Sequence, residues 1–255
     1  MNTVMPAKLE TAVILAAGMG TRLRESHTGM PKGFLRLGEE PIVAESIARL
    51  RKAGINNILI VTGHLAEFYE ELAAKDPAIN TVHNPQYAES GSMYSLWCAR
   101  ERIDGPFLLL ESDLIYEQRA LDVLLSGPAE AVLLSGPTNA GDEVYVETEG
   151  DEPNTRLYAM SKDADALGAE PSGELVGISR ISPELFRCMI DYAEMEFHQG
   201  NLRVDYETDA LVHAGRQLPV SCPVVADLLW GEIDDASHLE RVRERIYPQL
   251  IAEAD

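Results

Sequence analysis

The sequence predicts an α/β protein whose mostly parallel sheet is covered by helices on both faces. Short apolar runs alternate with longer segments in which apolar residues recur every three or four positions. The strand-like runs are apolar without interruption, as in 107–110, which is typical of parallel strands buried on both faces. A chain of 255 residues, 45% of them hydrophobic, is long enough for one such domain.

Strands and helices alternate regularly through the first half of the chain. The predicted strands cover 12–17, 57–61, 79–83, 107–110 and 131–134. The predicted helices cover 41–54, 65–75, 93–102 and 117–125. Gly18, Gly63 and Asp113 each follow a predicted strand, and ligands of parallel sheets bind beyond the carboxyl ends of the strands. These three residues are therefore expected to lie at one site.

The pattern changes after Gly141. Three extended runs, at 143–147, 156–160 and 174–181, are predicted as antiparallel strands of an insertion lying over the site. Ser182 is the expected N-cap of a helix that begins at Pro183. The remaining expected elements are this helix at 183–197, a helix at 206–214, a strand at 220–225, a loop at 230–235 and a helix at 238–246.

Composition excludes several classes of function. The net charge of −21 disfavours sequence-independent binding to nucleic acid or to an anionic membrane. The three cysteines have no zinc-ligand spacing with each other or with histidine. The first ten residues lack the pattern of a secretory signal, and the apolar run at 12–17 is too short to span a membrane. We therefore expect a soluble, cytoplasmic protein.

A glycine-containing loop follows the first predicted strand. Gly18 and Gly20 allow backbone N–H groups to approach an anion, and Arg22 and Lys32 follow within fifteen residues. A P-loop is excluded because Gly20 is followed by Thr-Arg rather than by Lys-Ser or Lys-Thr. The dinucleotide fingerprint requires a third glycine where this chain has Leu23. The pattern therefore favours a site for a triphosphate.

Acidic residues from two distant segments are candidates for the other side of that site. Asp113 ends an apolar strand, where it either serves a ligand or caps the helix that follows. Glu232 and Asp234 lie on one side of an extended segment whose Ile233 points into the core. Three carboxylates brought together in this way can hold one Mg²⁺. Asp235 is expected to cap the last helix.

Other candidate residues carry weaker signals. Lys162 follows an alternating strand, where a lysine is either solvated or functional. The six histidines form neither a metal-ligand spacing nor a catalytic triad. The aromatic residues of the second half either fill the core or line a pocket for an organic cation. They are Tyr145, Tyr158, Tyr206 and Trp230.

With these residues assembled, the chain resembles nucleotidyltransferases of the sugar-phosphate pyrophosphorylase superfamily. The shared features are LAAGMGTRL at 15–23, the Lys32 element, Asp113 and Glu232-x-Asp234. The resemblance is closer to cytidylyltransferases that act on phosphocholine and on 2-aminoethylphosphonate. The motifs that carry it are MPKGF (30–34), SGSM (90–93), LLLESDLIY (108–116), SG (135–136), GDEVY (141–145), GELVGI (173–178), DYE (205–207), WGEIDD (230–235) and IYP (246–248).

This resemblance implies a Rossmann-like three-layer α/β sandwich of the nucleotide-diphospho-sugar transferase type, with a small antiparallel insertion over the active site. It also implies a magnesium-dependent transfer of CMP from CTP to 2-aminoethylphosphonate, for the biosynthesis of phosphonate conjugates. We expect one domain over 1–255, with CTP bound by about 1–135 and the acceptor by about 136–255, which also supplies the second metal-ligand segment.

The resemblance assigns roles to individual residues. The implied nucleotide contacts are Leu15, Ala16, Ala17 and Gly18 for ribose and base, Ser90, Gly91 and Ser92 for the cytosine edge, and Gly20, Thr21, Arg22 and Lys32 for the triphosphate. The implied magnesium ligands are Asp113, Glu232 and Asp234. Lys162 matches the family lysine near the α-phosphate and is expected, with Arg22 and Lys32, to be catalytic.

The acceptor is the most open part of the prediction. Six residues are candidates for binding it. The carboxylates of Asp142, Glu143, Glu207 or Asp209 would attract its ammonium group, and Tyr145 or Tyr206 would form an apolar wall. Phosphocholine, another small phosphate or phosphonate and a sugar 1-phosphate remain alternative acceptors, and a catalytically silent nucleotide-binding protein is the remote alternative. The expected partners are small-molecule substrates and a possible second copy of the chain, with neither nucleic acid nor membrane.

Overall fold

The computed structural model describes residues 8–23, 29–141, 143–150 and 155–252. Its eleven described strands are β1 (Thr11–Ala16), β2 (Asn57–Thr62), β3 (Ile79–His83), β4 (Phe107–Glu111), β5 (Leu114–Tyr116), β6 (Ala131–Ser135), β7 (Tyr145–Glu149), β8 (Arg156–Ser161), β9 (Gly173–Ile181), β10 (Val224–Val225) and β11 (Trp230–Glu232). The α-helices of the same ranges are α1 (Ile42–Lys52), α2 (Ala66–Lys75), α3 (Ser92–Cys98), α4 (Arg119–Ser126), α5 (Pro183–His198), α6 (Val212–Gly215), α7 (Ala236–Arg241) and α8 (Tyr247–Ala252).

A mixed, mostly parallel sheet forms the centre of the fold. Its strand order is β10-β6-β9-β4-β1-β2-β3, and β1 pairs in parallel with both β2 and β4. Because these strands run the same way, their carboxyl ends meet at one edge, where Leu15 lies opposite Glu111. The α/β class predicted from the unbroken apolar runs is confirmed.

Alternate residues of the central strands pack against helices on opposite faces of the sheet. Val13 and Leu15 belong to a buried cluster with residues of α3, α5 and α6. Ala12 and Ile14 belong to a second buried cluster with residues of α1, α2 and α4. Burying one such aliphatic side chain contributes about 1.5–3 kcal/mol, so both faces of the sheet favour the three-layer arrangement.

The prediction of an antiparallel insertion is only partly right. Strands β7 and β8 form a hairpin at the side of the sheet, as expected. Strand β9 is instead a central strand, paired antiparallel with both β4 and β6. Six consecutive residues, 174–179, are buried in it, because it is covered on both faces like its parallel neighbours.

A small second sheet was not predicted. Strand β5 pairs antiparallel with β11, where the sequence favoured a loop over 230–235. Ile115 and Ile233 pack there against α7 in a third buried cluster. A three-residue strand is too short to show a periodic pattern, so only its partner determines that it forms.

Several element boundaries differ from those expected. The helix predicted at 93–102 ends at Cys98, and the strand predicted at 220–225 covers only its last two residues. The helix predicted at 206–214 is present but begins as a π-helix, and the closing helical segment runs on to Ala252. The predicted caps are confirmed, since Ser182 accepts from the backbone of Leu185 and Asp235 from that of Ser237. Among the described helices, none combines the length and apolar character needed to cross a membrane.

Candidate active site

A cavity of about 300 Å³ opens at the carboxyl ends of β1 and β4. Both halves of the chain contribute to it. The residues contributed by the first half include Leu15, Ala16, Gly18, Gly20, Thr21, Arg22, Lys32, Ser92 and Asp113. The residues contributed by the second half include Glu143, Lys162, Gly177, Asp205, Glu207, Glu232, Asp234 and Arg241.

The glycine loop forms one wall of this cavity. Gly20 has a φ of +57°, a conformation that residues with a side chain adopt rarely, and Thr21–Leu23 continue as a 3₁₀ turn. The Leu23 side chain is buried and anchors the end of the turn. The loop is therefore fixed at both ends, and its backbone follows directly from the central strand of the sheet.

Lys32 begins a second turn, which packs closely against β4. A methyl group built on Gly33 would lie 2.8 Å from the Tyr69 hydroxyl oxygen and 2.9 Å from the Ser112 carbonyl oxygen. Only glycine allows this approach without a shift of the backbone. The turn aims the Lys32 side chain into the cavity beside Asp113, which follows β4.

Three carboxylates meet across from Lys32. Pairing of β5 with β11 places Glu232 opposite Leu114, next in the chain to Asp113. Asp234 follows on the same side of its strand, and one oxygen from each of the three carboxylates lies within 4.8 Å of the others. Asp113 and Asp234 are buried and Glu232 is half-buried. Hard oxygen ligands at this spacing fit Mg²⁺, so the donor set agrees with the predicted metal.

Two cations already contact this carboxylate cluster. Lys32 Nζ donates to Asp113 Oδ2 at 2.8 Å and also to Asp234 Oδ1, while Arg22 donates to Asp234 Oδ2 at 2.7 Å. Burial disfavours the charged form of Lys32, but the carboxylates of Asp113 and Asp234 outweigh this and raise its pKa above the usual range. Burial and the Asp113 charge raise the pKa of Glu232 well above its usual value. The site is thus short of positive charge even with Lys32 in place.

Two further glutamates deepen the negative potential of the cavity. Burial and the neighbouring Glu207 carboxylate raise the pKa of Glu111 well above its usual value. Burial raises the pKa of Glu207 to about 7, although Tyr206 and Lys162 favour its ionised form. Buried carboxylates with raised pKa values mark functional sites often enough to make these two glutamates candidates for binding a cationic ligand.

The predicted acceptor residues are distributed unevenly around the cavity. Glu143 lines it, and burial opposes its ionisation, but backbone N–H groups and the Tyr145 hydroxyl lower its pKa. Tyr206 is buried in the core, and Asp209 accepts from the backbone N–H of Asp205 at 2.9 Å. Asp142 lies outside the described residues. Of the five candidates within the described residues, Glu143 and Glu207 are the two that line the cavity.

The segment predicted to bind the cytosine edge, 90–92, forms hydrogen bonds with other parts of the protein. Ser92 lines the cavity, where its hydroxyl donates to Asp205 at 3.3 Å and accepts from the backbone of Tyr206 at 3.0 Å. Ser90 accepts from the Asn84 side chain, and the backbone N–H of Gly91 donates to Leu202. This segment thus joins the two halves of the site. Ala17, also assigned to the nucleotide, accepts from the backbone of His64.

Sequence reasoning missed several residues that line the cavity. They include Tyr69, Glu111, Ser112, Thr138, Gly177 and Arg241. A signal existed for Glu111, which precedes Asp113 by two positions and so leaves the strand on the same side. The others reach the cavity only through tertiary packing.

The fold, the glycine loop and the carboxylate cluster together are features of nucleotidyltransferases. Residues 12–165, well over half of the chain, match the MobA-like NTP transferase domain family. The chain belongs to this family of nucleotidyltransferases.

Two curated relatives and one solved structure are similar to this chain. A CMP-5'-(3-aminopropyl)phosphonate synthase from Streptomyces rubellomurinus is 29% identical over 93% of this chain and 39% of its own length. A choline-phosphate cytidylyltransferase from Streptococcus pneumoniae is 32% identical over 52% of this chain and 58% of its own length. The solved structure of an inositol-1-phosphate CTP transferase from T. maritima superposes with a TM-score of 0.76 at 18% identity, covering 98% of both chains, which shows the shared fold. The present chain spans only part of the length of the two curated relatives.

Proposed function

We propose that the protein transfers CMP from CTP to 2-aminoethylphosphonate, with release of pyrophosphate. The observation that carries this proposal is a single cavity in which a glycine loop with Arg22 and Lys32 faces three carboxylates. The loop and its cations suit a triphosphate, and the carboxylates suit the magnesium ion that accompanies one. The named functions of the two curated relatives support cytidylyl transfer to a small phosphonate or phosphate.

The proposed reaction requires alignment rather than a general base. A phosphonate oxygen is already anionic, so it can attack the α-phosphorus without losing a proton. Asp113, Glu232 and Asp234 would hold Mg²⁺, which supplies neutralisation of the triphosphate charge when bound. Lys32 and Arg22 would bind the phosphates as the leaving pyrophosphate gains charge, and Lys162 would lie near the α-phosphate.

The proposed acceptor is an amine because the second half of the chain brings acidic side chains to the cavity. Glu207 and Glu143 line it, and a primary ammonium group donates hydrogen bonds to carboxylates. A quaternary ammonium group has no N–H to donate and is better received by an aromatic cage. We infer that about 1–135 bind the nucleotide and that about 136–255 bind the acceptor.

Phosphocholine is the second candidate acceptor, favoured by the similarity to the Streptococcus pneumoniae enzyme. Pyrophosphate release should be measured with CTP, UTP and ATP, each paired with 2-aminoethylphosphonate, phosphocholine and glucose 1-phosphate. We expect the highest kcat/KM for CTP with 2-aminoethylphosphonate. Turnover of glucose 1-phosphate without turnover of the phosphonate would overturn the proposal. Normal CTP binding without pyrophosphate release from any acceptor would instead identify a silent nucleotide-binding protein.

A further inference from the structure

Lys32 occupies the place that the proposed metal must take. Its ammonium group donates to both Asp113 and Asp234, two of the three proposed ligands. The side chain of Lys32 is 19% exposed, and those of Asp113 and Asp234 are 8% and 12% exposed. Solvent therefore screens these ion pairs little, and a metal ion cannot coordinate the same oxygens while the ammonium group remains between them.

The aliphatic stem of the Lys32 side chain lies beside the glycine loop, so its ammonium group can reach that loop as well as the carboxylates. The ideal position of a methyl group on Gly20 lies 3.5 Å from Lys32 Cγ and 3.9 Å from Cε, so the stem runs along the glycine loop. A lysine side chain is flexible and its ammonium group is a compact point charge. Rotation about the stem would carry the charge from the carboxylates to the loop, where the triphosphate is proposed to bind.

The ion pair of Arg22 with the same carboxylate cluster is weaker than those of Lys32. In the described part of the chain it pairs with Asp234, and its side chain is 57% exposed. Exposed ion pairs contribute little because water and salt screen them. Of these two cations, Lys32 is therefore the one whose displacement frees oxygens of both Asp113 and Asp234.

We infer that Lys32 is an internal counter-cation that keeps the carboxylate site closed to free metal until a nucleotide arrives. This inference rests on the proposed metal site. The triphosphate offers the ammonium group a new anionic partner at the moment when the carboxylates are needed for the metal. Metal and nucleotide thus enter together, and the carboxylates that line the cavity do not collect divalent cations in the absence of CTP.

Metal binding to the nucleotide-free protein tests this inference without measuring turnover. Free Mn²⁺ should be titrated by electron paramagnetic resonance against wild type, Lys32→Met and Lys75→Met. If the ammonium group fills the site for nine-tenths of the time, its removal should tighten Mn²⁺ binding about tenfold. Lys75 is an exposed lysine of α2, so its variant changes the net charge equally and should bind Mn²⁺ as wild type does. Equal or weaker binding by Lys32→Met, or the same gain in Lys75→Met, would overturn the inference.

A second variant tests whether the tighter Mn²⁺ binding of Lys32→Met occurs at the proposed ligands. Lys32→Met combined with Asp113→Asn should lose the added Mn²⁺ affinity, because one oxygen ligand becomes an amide. A gain that persists in the double variant contradicts the inference, since the metal is then bound elsewhere.

NMR of the lysine ammonium groups tests the same inference in the wild-type protein, should Lys32→Met fail to fold. Lys32→Arg, which keeps the cation, identifies the Lys32 signal by its loss. We expect millimolar Mg²⁺ alone to leave this signal in place and Mg²⁺ with CTP to shift it. An equal shift with Mg²⁺ alone would overturn the inference. Tighter Mn²⁺ binding by Lys32→Met, in a protein whose wild-type form releases no pyrophosphate from CTP with any acceptor, would retain the inference and discard the proposed transfer. Transfer by the wild type with unchanged Mn²⁺ binding by Lys32→Met would do the reverse.

Discussion

The proposed nucleotide side and the proposed acceptor side of the cavity are built differently. The proposed nucleotide side comes mainly from 15–22, which continue from the central strand β1, together with Lys32 and with Asp113 after the adjacent β4. The proposed acceptor side takes single side chains from segments that are distant in sequence, among them Glu143, Lys162 and Glu207. A phosphate chain is the same in every nucleotide and can be met by backbone geometry. An acceptor differs between enzymes, and side chains on separate segments can change without disturbing the sheet.

The largest effect is expected where the two sides meet. Asp113→Asn should lower kcat by about a thousandfold, because it removes a charged ligand from the proposed metal site. Asp122→Asn is a matched control, since Asp122 lies exposed on α4. Steady-state pyrophosphate release measures both variants. A near-normal rate in Asp113→Asn would place the reaction elsewhere.

A slightly smaller effect is expected on the nucleotide side. Lys32→Ala should lower kcat/KM for CTP by about a hundredfold or more, because charge on the leaving pyrophosphate loses its nearest buried cation. Circular dichroism should show that the variant is folded. Comparable kinetics of wild type and Lys32→Ala would contradict the assignment of this residue.

On the acceptor side, the pKa of Glu207 predicts a dependence of stability on pH. The folded pKa of about 7 exceeds the ordinary value of 4.5, so the folded state retains the proton between these values while the unfolded chain releases it. Ionisation therefore favours unfolding as the pH rises from 4.5 to 7, and the cost is constant above 7 and absent below 4.5.

Urea unfolding of ligand-free protein measures this cost. Relative to Glu207→Gln, wild type should lose roughly 3 kcal/mol of unfolding free energy as the pH rises through this window. The same difference at pH 4 and pH 8 would show that Glu207 has an ordinary pKa.

The smallest effect separates the two sides most clearly. Glu207→Gln should raise KM for 2-aminoethylphosphonate about tenfold while leaving KM for CTP within about twofold, because the carboxylate is proposed to pair only with the acceptor ammonium group. Glu184→Gln, on an exposed position of α5, is the matched control. If both KM values rise together, Glu207 supports the whole cavity rather than the acceptor alone.

The sequence alone predicted most of the fold and the nucleotide side. Unbroken apolar runs identified the parallel strands, and the residues after them, Gly18 and Asp113, both line the cavity. The helix caps Ser182 and Asp235 were also predictable, because a cap depends on a few adjacent residues. Each of these features depends on residues that are close together in the chain, so it can be predicted from the sequence.

What the sequence did not determine depends on pairing between distant segments. The central position of β9, the pairing of β5 with β11 and the cavity position of Arg241 leave no local pattern that fixes them. The sequence by itself thus determined a glycine loop with two cations and a set of candidate carboxylates. Only the tertiary structure decided that Lys32 lies between Asp113 and Asp234, because that contact joins residues 81 and 202 positions apart.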